Sequence, residues 1–373
     1  MDALRCRVVL IVPTMERGGA EKQVCLLAEH LPKQQFDVHV VLLTRGGPLL
    51  PRLQEAVTVH QIGKAFKADP RALFKLQRLL RQLRPDVVHT FLFAANSFGR
   101  YAAHRVGVPH IIASERCVDP WKRMWHGVID RFLARRSACI TTNSTGVRDF
   151  YTRRGIDADL FRIISNGIAP RNVDVISRQE AFQRLEVPPS RHLFLAVGRL
   201  WPQKRYRDLI WSGELMGSMR GDTTLVIIGD GPKKHALMRF RDSVTSPLHV
   251  RFAGHRTDVA QLLPHASQFW VGSAYEGQSN ALMEAMQAGL PVVASDIPGN
   301  RDLITHETHG LLFPLGDRVA MAKRSQRLLE DPALAQHLAS AARERIETEF
   351  TIQQMVEKHA TLYSGLQEET PVV

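Results

Sequence analysis

The stretch Ser273-Ala-Tyr-Glu-Gly-Gln-Ser-Asn-Ala-Leu-Met-Glu-Ala-Met-Gln-Ala-Gly-Leu-Pro-Val-Val-Ala-Ser-Asp-Ile-Pro-Gly-Asn300 organises the reading of this chain. It places two carboxylates, Glu276 and Glu284, eight positions apart. Ser279 or Asn280 is a helix N-cap, and the Ala, Leu and Met residues that follow favour a helix. Gly289 and Pro291 end that helix, and Pro291-Val-Val-Ala-Ser reads as a buried strand. Glu276 then lies on the loop before the helix and Glu284 about one turn inside it. The open N–H groups at the helix start favour an anion between them. A bare phosphate would not suit two carboxylates, whereas a ligand that also carries hydroxyls would.

Upstream, strand and turn alternate in the same manner. Leu193–Val197 runs into Gly198-Arg199-Leu-Trp-Pro-Gln-Lys204, and a helix follows over Tyr206–Met219. Thr224–Ile228 runs into Gly229-Asp-Gly231-Pro, and His249–Ala253 into Gly254-His255-Arg256. In a parallel sheet these strand ends share one edge, so Gly198, Arg199, Gly229, Gly254, His255 and Glu276 converge on one crevice, with Lys204 a second cation at the first strand end. Downstream, Gly310–Pro314 is a last short strand, and helices follow at Arg318–Leu329, Pro332–Phe350 and Thr351–Leu366. The short tail Glu368–Val373 has low complexity.

The N-terminal half repeats the pattern. Val8–Val12 leads through Gly18-Gly19 to a helix over Lys22–Leu31, and a glycine pair there lets backbone approach a ligand, although a plain turn reads as well. No GxGxxG is present, so a nicotinamide-binding fold is not supported. His89 and Glu115-Arg116 fall at expected strand ends and are candidates to touch a substrate. A polar stretch after Ile168, running through Pro188-Pro189-Ser190, is the expected crossing between domains 1–168 and 169–350, with a helix near 351–370 able to return to the first domain. The alternation argues an α/β protein with two doubly wound parallel sheets.

Composition narrows the partners. The 373 residues carry a net charge of +12, and residues 1–168 hold 26 Lys and Arg against 14 Asp and Glu, whereas the remainder is balanced at 23 against 23. A basic half calls for an anionic partner such as a membrane surface. Two segments could supply it. Arg71–Arg84 is amphipathic with a basic back, and Pro120-Trp-Lys-Arg-Met-Trp-His-Gly mixes two tryptophans with cations, as an interfacial contact requires. Tryptophans in the core or lining a substrate cleft fit equally. No run approaches the eighteen apolar residues of a spanning helix, and the start reads as a strand and not a signal peptide. Four cysteines without CxxC spacing are expected to be reduced thiols in a cytoplasmic protein.

These motifs resemble family 4 of the glycosyltransferases, retaining enzymes of the two-domain GT-B fold. The resemblance rests on Gly18-Gly19-Ala-Glu21, Asn166-Gly167-Ile168, Val197-Gly-Arg199-Leu with Lys204, Gly229-Asp-Gly231-Pro and the Glu276…Glu284 segment. It implies two Rossmann-like domains facing each other across a cleft. It further implies a sugar-nucleotide donor, UDP- or GDP-linked, and a glycan or polyprenyl-linked acceptor. Neither a metal nor another cofactor is implied. By this resemblance Glu284 accepts the ribose hydroxyls and Glu276 holds the donor sugar. Arg199 and Lys204 meet the diphosphate, and Gly18, Gly19, Gly198, Gln278, Ser279 and Asn280 complete the cradle. The loop His255-Arg256 meets the base, and His89, Glu115 and Arg116 orient the acceptor. Gln278-Ser279-Asn280 departs from the usual EGFG segment, so donor identity does not carry over. Two other readings compete. A sugar-nucleotide epimerase of the same fold would need no acceptor features, and a non-catalytic sugar-nucleotide or nucleic-acid binding protein is suggested only by a pI near 9.9.

Overall fold

The computed structural model describes residues 5–16, 18–170 and 173–368; Arg17 and the tail beyond Glu368 lie outside them. Residues up to Gly167, joined by the stretch from Phe350 onward, form one compact unit, and Ile168–Glu349 form a second.

The first unit holds seven strands: β1 (Cys6–Thr14), β2 (Phe36–Arg45), β3 (Thr58–Gln61), β4 (Val87–Phe91), β5 (His110–Glu115), β6 (Cys139–Thr142) and β7 (Phe161–Ile163). All are parallel, in the order β3-β2-β1-β4-β5-β6-β7. Five successive residues of β1, Val8 to Val12, are fully buried, because helices cover both faces of a central parallel strand. Each such side chain contributes about 1.5–3 kcal/mol relative to exposure. The order reverses between β1 and β4, which makes the crevice beyond those two strand ends the place where such a sheet binds ligands.

The second unit holds β8 (His192–Val197), β9 (Thr223–Ile228), β10 (Val250–Gly254), β11 (Gln268–Val271), β12 (Val292–Ser295) and β13 (Leu311–Phe313). These too are parallel, in the order β10-β9-β8-β11-β12-β13, with the reversal between β8 and β11. Its core runs from Phe194 stacked on Trp270, ring centres 4.7 Å apart, out to Met321 and Leu338 on the covering helices.

The sequence reading lacks the short helix Pro298–Arg301 and three longer ones, Leu50–Ala56, Met124–Ala134 and Arg178–Leu185. The last corrects the expected polar crossing. Ser177 caps it by accepting from the Glu180 N–H at 3.1 Å, and Ala181, Phe182 and Leu185 are buried beneath a charged exterior. Its few apolar positions hide the helical period among charged ones.

The C-terminal helix, Ile352–Glu368, belongs to the first unit. It buries Ile352, Met355, Val356, His359 and Tyr363 in the same core as Leu10 and Val24. Gly167 permits this: a Cβ there would stand 2.8 Å from the Ile352 Cα. Gln23 clamps the same glycine, donating to its carbonyl at 2.8 Å and accepting from its N–H at 2.9 Å.

Candidate active site

In the second unit the loops after β8 and β11 flank the reversal of strand order. Ser279 caps the helix Asn280–Gln287, accepting from the Leu282 N–H at 3.4 Å, so the helix N-terminus opens at that edge. Asn280 and Glu284 stand four apart on this helix and share a face. Gln278 and Ser279 are buried, and Glu284 is half-buried.

Across the reversal, Lys204 and Glu276 form an ion pair, with side chains 20% and 9% exposed. Gln203 reinforces it by donating to Glu276 at 3.2 Å and to the Tyr275 carbonyl at 2.8 Å. The Ala274 N–H donates back to the Gln203 carbonyl at 2.8 Å. The two loops are thus strapped together through backbone and side chain. Tyr206 lies buried beneath them, and burial, then the nearby Glu276 carboxylate, pushes its phenol well above the ordinary range. Gln203 and Tyr206 were not legible as site residues, since neither carries a motif of its own.

Glycines let these loops approach. A Cβ at Gly229, whose φ is +149°, would stand 1.9 Å from the Gly198 carbonyl oxygen. A Cβ at Gly299 would stand 2.0 Å from the Gly277 carbonyl oxygen, so the turn beyond β12 supports the Glu276 loop from below. Arg199 is exposed at the end of β8, and His255 is exposed beyond β10. Arg256 is not available in the way the sequence suggests. It chelates Asp258 at 2.8 and 2.7 Å and donates to the Arg184 carbonyl at 3.2 Å. Its guanidinium is occupied in fixing its own loop.

In the first unit Gly18 precedes the helix Gly19–His30 at the carboxyl end of β1, with Gly18 buried and Gly19 exposed. Arg116 follows β5 and donates to the Asn166 side chain, which also accepts from Asn143 at 3.2 Å. Burial holds the Arg116 guanidinium down to about 10.

Two expectations need correction here. His89 is the middle residue of β4 and is completely buried. Its Nδ1 lies 2.7 Å from the Tyr363 hydroxyl and its Nε2 3.1 Å from the Thr141 hydroxyl. Burial, then His359 and Arg116, holds its pKa well below the usual imidazole value, so it is a neutral core histidine and not a strand-end group. Glu115 is 4% exposed and stands 3.6 Å from Lys122, inside a cluster with Asp130, Asp119 and Arg100. Its carboxylate compensates interior charge, and burial raises its pKa despite Lys122.

Among the described residues no group of three or more His, Cys, Asp or Glu could hold a metal ion, and no helix is long and apolar enough to cross a membrane. The four cysteines are free thiols; Cys6, Cys25 and Cys139 are buried.

Two family models match the chain one after the other. Residues 18–167 match the glycosyl transferase 4-like domain and residues 177–345 match the glycosyl transferases group 1. The UDP-Gal:alpha-D-GlcNAc-diphosphoundecaprenol alpha-1,3-galactosyltransferase of Escherichia coli is 26% identical over 356 residues, covering 90% of each chain. A GDP-mannose-dependent alpha-mannosyltransferase of Mycobacterium tuberculosis is 29% identical over 329 residues, covering 80% of this chain and 81% of that one. Among solved structures, Anabaena Alr3699/HepE in complex with UDP and glucose superposes with a TM-score of 0.85 at 20% identity, over 97% of this chain and 100% of that one.

Proposed function

The chain belongs to the glycosyltransferases, a 4-like domain followed by a group 1 domain on the GT-B fold, and from that premise we propose what it transfers and how. The donor is a nucleoside-diphosphate sugar, UDP- or GDP-linked, and the acceptor a lipid-linked or glycan hydroxyl at the cytoplasmic face of a membrane. The activities of the E. coli and M. tuberculosis relatives support the donor class, and that of the E. coli relative supports the lipid-linked acceptor. The observation that carries the reading is the Lys204–Glu276 pair at the reversal of the second sheet.

In this reading the two partners of the pair exchange ligands. The donor diphosphate takes Lys204 and Arg199, which meet the charge that grows on the leaving phosphate. Glu276, released, accepts hydroxyls of the donor sugar. Glu284 accepts the ribose hydroxyls, and the first turn of Asn280–Gln287 meets phosphate oxygen through N–H groups. Gln278, Ser279, Asn280, Gly198 and exposed His255 line the remainder. No divalent metal is needed where two cations already face the diphosphate. The bond from the anomeric carbon to phosphate breaks, and a bond to the acceptor oxygen forms on the same face. Attack on the face from which the phosphate departs retains configuration, and the departing phosphate oxygen takes the acceptor proton.

The test is calorimetric titration with UDP, GDP and ADP, followed by transfer assays with the matching sugars and a polyprenyl-diphosphate-linked acceptor. Binding of one diphosphate and an α-linked product from an α-linked donor is the expected result. Formation of a free epimerised sugar without acceptor would assign the fold to epimerisation instead. Absence of diphosphate binding would defeat the proposal.

A further inference from the structure

The helix Met124–Ala134 is turned the wrong way round for an ordinary surface helix. Its buried face carries His126, Asp130, Leu133 and Ala134. Its open face carries Met124 (92% exposed), Trp125 (53%), Val128 (56%) and Phe132 (46%), and Trp121 (53%) adjoins them from the preceding turn. Met124, Val128 and Phe132 recur every four residues, so they form one stripe. A globular helix puts its apolar stripe inward and its charges outward. Here the ionised group faces in, and holding it there requires Lys122, whose Nζ donates to Asp130 at 3.0 Å and to the Tyr151 hydroxyl at 2.9 Å. Arg100 adds a second cation, 3.7 Å from Asp130.

The exposed charges of the helix itself and its cap are of one sign. Arg123, Arg131 and Arg135 are exposed beside the stripe, and the helix's only acid, Asp130, is buried. Trp121 keeps a polar tip, its indole N–H donating to Asp119 at 3.0 Å. Lys122, which the sequence places among the tryptophans, points inward with its side chain fully buried and takes no part.

We infer that this face is a docking surface for an anionic lipid bilayer. Trp121, Met124, Trp125, Val128 and Phe132 enter the boundary between headgroups and acyl chains, and the three arginines meet lipid phosphates. A second copy of the chain fits less well, because a two-fold contact would set the arginines of one face against those of the other. The surface is the next helical segment of the chain after β5, which ends at Glu115 with Arg116 following it. It therefore deepens the proposed use of a lipid-linked acceptor and rests on that reading for its purpose, though not for its existence.

Flotation of the full chain with vesicles tests it. The unaltered protein should float with phosphatidylethanolamine–phosphatidylglycerol vesicles and not with phosphatidylcholine alone, and tryptophan emission should shift to the blue on binding. Met124→Asp with Val128→Asp should reduce the floated fraction by about tenfold or more. Arg131→Gln with Arg135→Gln should reduce it in a salt-sensitive way. Nucleoside-diphosphate binding by calorimetry should be unchanged in both variants, so loss of flotation and loss of donor binding are read separately. Failure of the unaltered protein to float with anionic vesicles, or equal flotation of the aspartate variant, would overturn the inference. So would a dimer, seen by light scattering, that the aspartate variant dissolves while the unaltered protein ignores vesicles.

Discussion

Lys204 and Glu276 are ion-paired although they lie 72 residues apart, each on a loop that leaves one of the two strands, β8 and β11, between which the second sheet reverses its order. In the function proposed above Lys204 meets phosphate and Glu276 meets sugar hydroxyls, and here the two charges neutralise each other. Partly buried charges held in this way avoid the penalty of standing alone, and a ligand carrying both phosphate and hydroxyls can replace each partner for the other.

Glu276→Gln should lower kcat for transfer by roughly a hundred- to a thousandfold, the range seen when one group that stabilises a transition state is removed. The melting temperature should stay within a few degrees. Transfer within threefold of the unaltered enzyme would remove Glu276 from the chemistry.

Binding of the free diphosphate should move in opposite directions for the two partners. Lys204→Ala removes a charge-assisted contact and should weaken UDP or GDP binding by roughly ten- to a hundredfold. Glu276→Gln frees the lysine from its competitor and should tighten it. Calorimetry on both variants decides, and parallel losses would refute the exchange of ligands.

Lys122→Ala should destabilise the first unit by about 3–5 kcal/mol, because the buried Asp130 and Glu115 would lose the cation they share and keep only Arg100, 3.7 Å from Asp130. Denaturant melts followed by circular dichroism measure this. A change below about 1 kcal/mol would mean that water reaches the cluster.

Acid should destabilise the first unit through its buried histidines. His359 is held down to about 4 by burial, despite the bond from Nδ1 to the Met355 carbonyl, and His89 is held well below the usual value. A depressed imidazole stays neutral in the folded chain while the unfolded chain takes up a proton near pH 6.5. Stability is therefore complete above about pH 6.5 and falls, by about 1.4 kcal/mol per pH unit for each histidine, as pH drops towards 4. Melting temperatures across that range should show the slope, and His359→Gln should flatten it. An unchanged slope in the variant would show that other groups drive the transition.

The alternation of strand and helix was open to reading because parallel strands buried on both faces, such as Val8 to Val12, leave continuous apolar runs. The local fold of the Glu276…Glu284 segment was open as well, since Ser279 caps the helix and Gly289 with Pro291 ends it. Residue type and spacing determined both, locally, along a single stretch of chain.

What only the tertiary structure decided was which side of each element meets the interior. His89 is a neutral core residue because Tyr363, 274 positions away, brings the C-terminal helix over β4. Lys122 turns inward and its tryptophan neighbours outward because the buried Asp130 and Glu115 hold more negative charge than Arg100 alone offsets. Arg256 is tied down because Asp258 and the Arg184 carbonyl stand beside it. Direction of burial depends on the partners that folding delivers from distant segments, and their interaction energies carry no periodic signal along the chain.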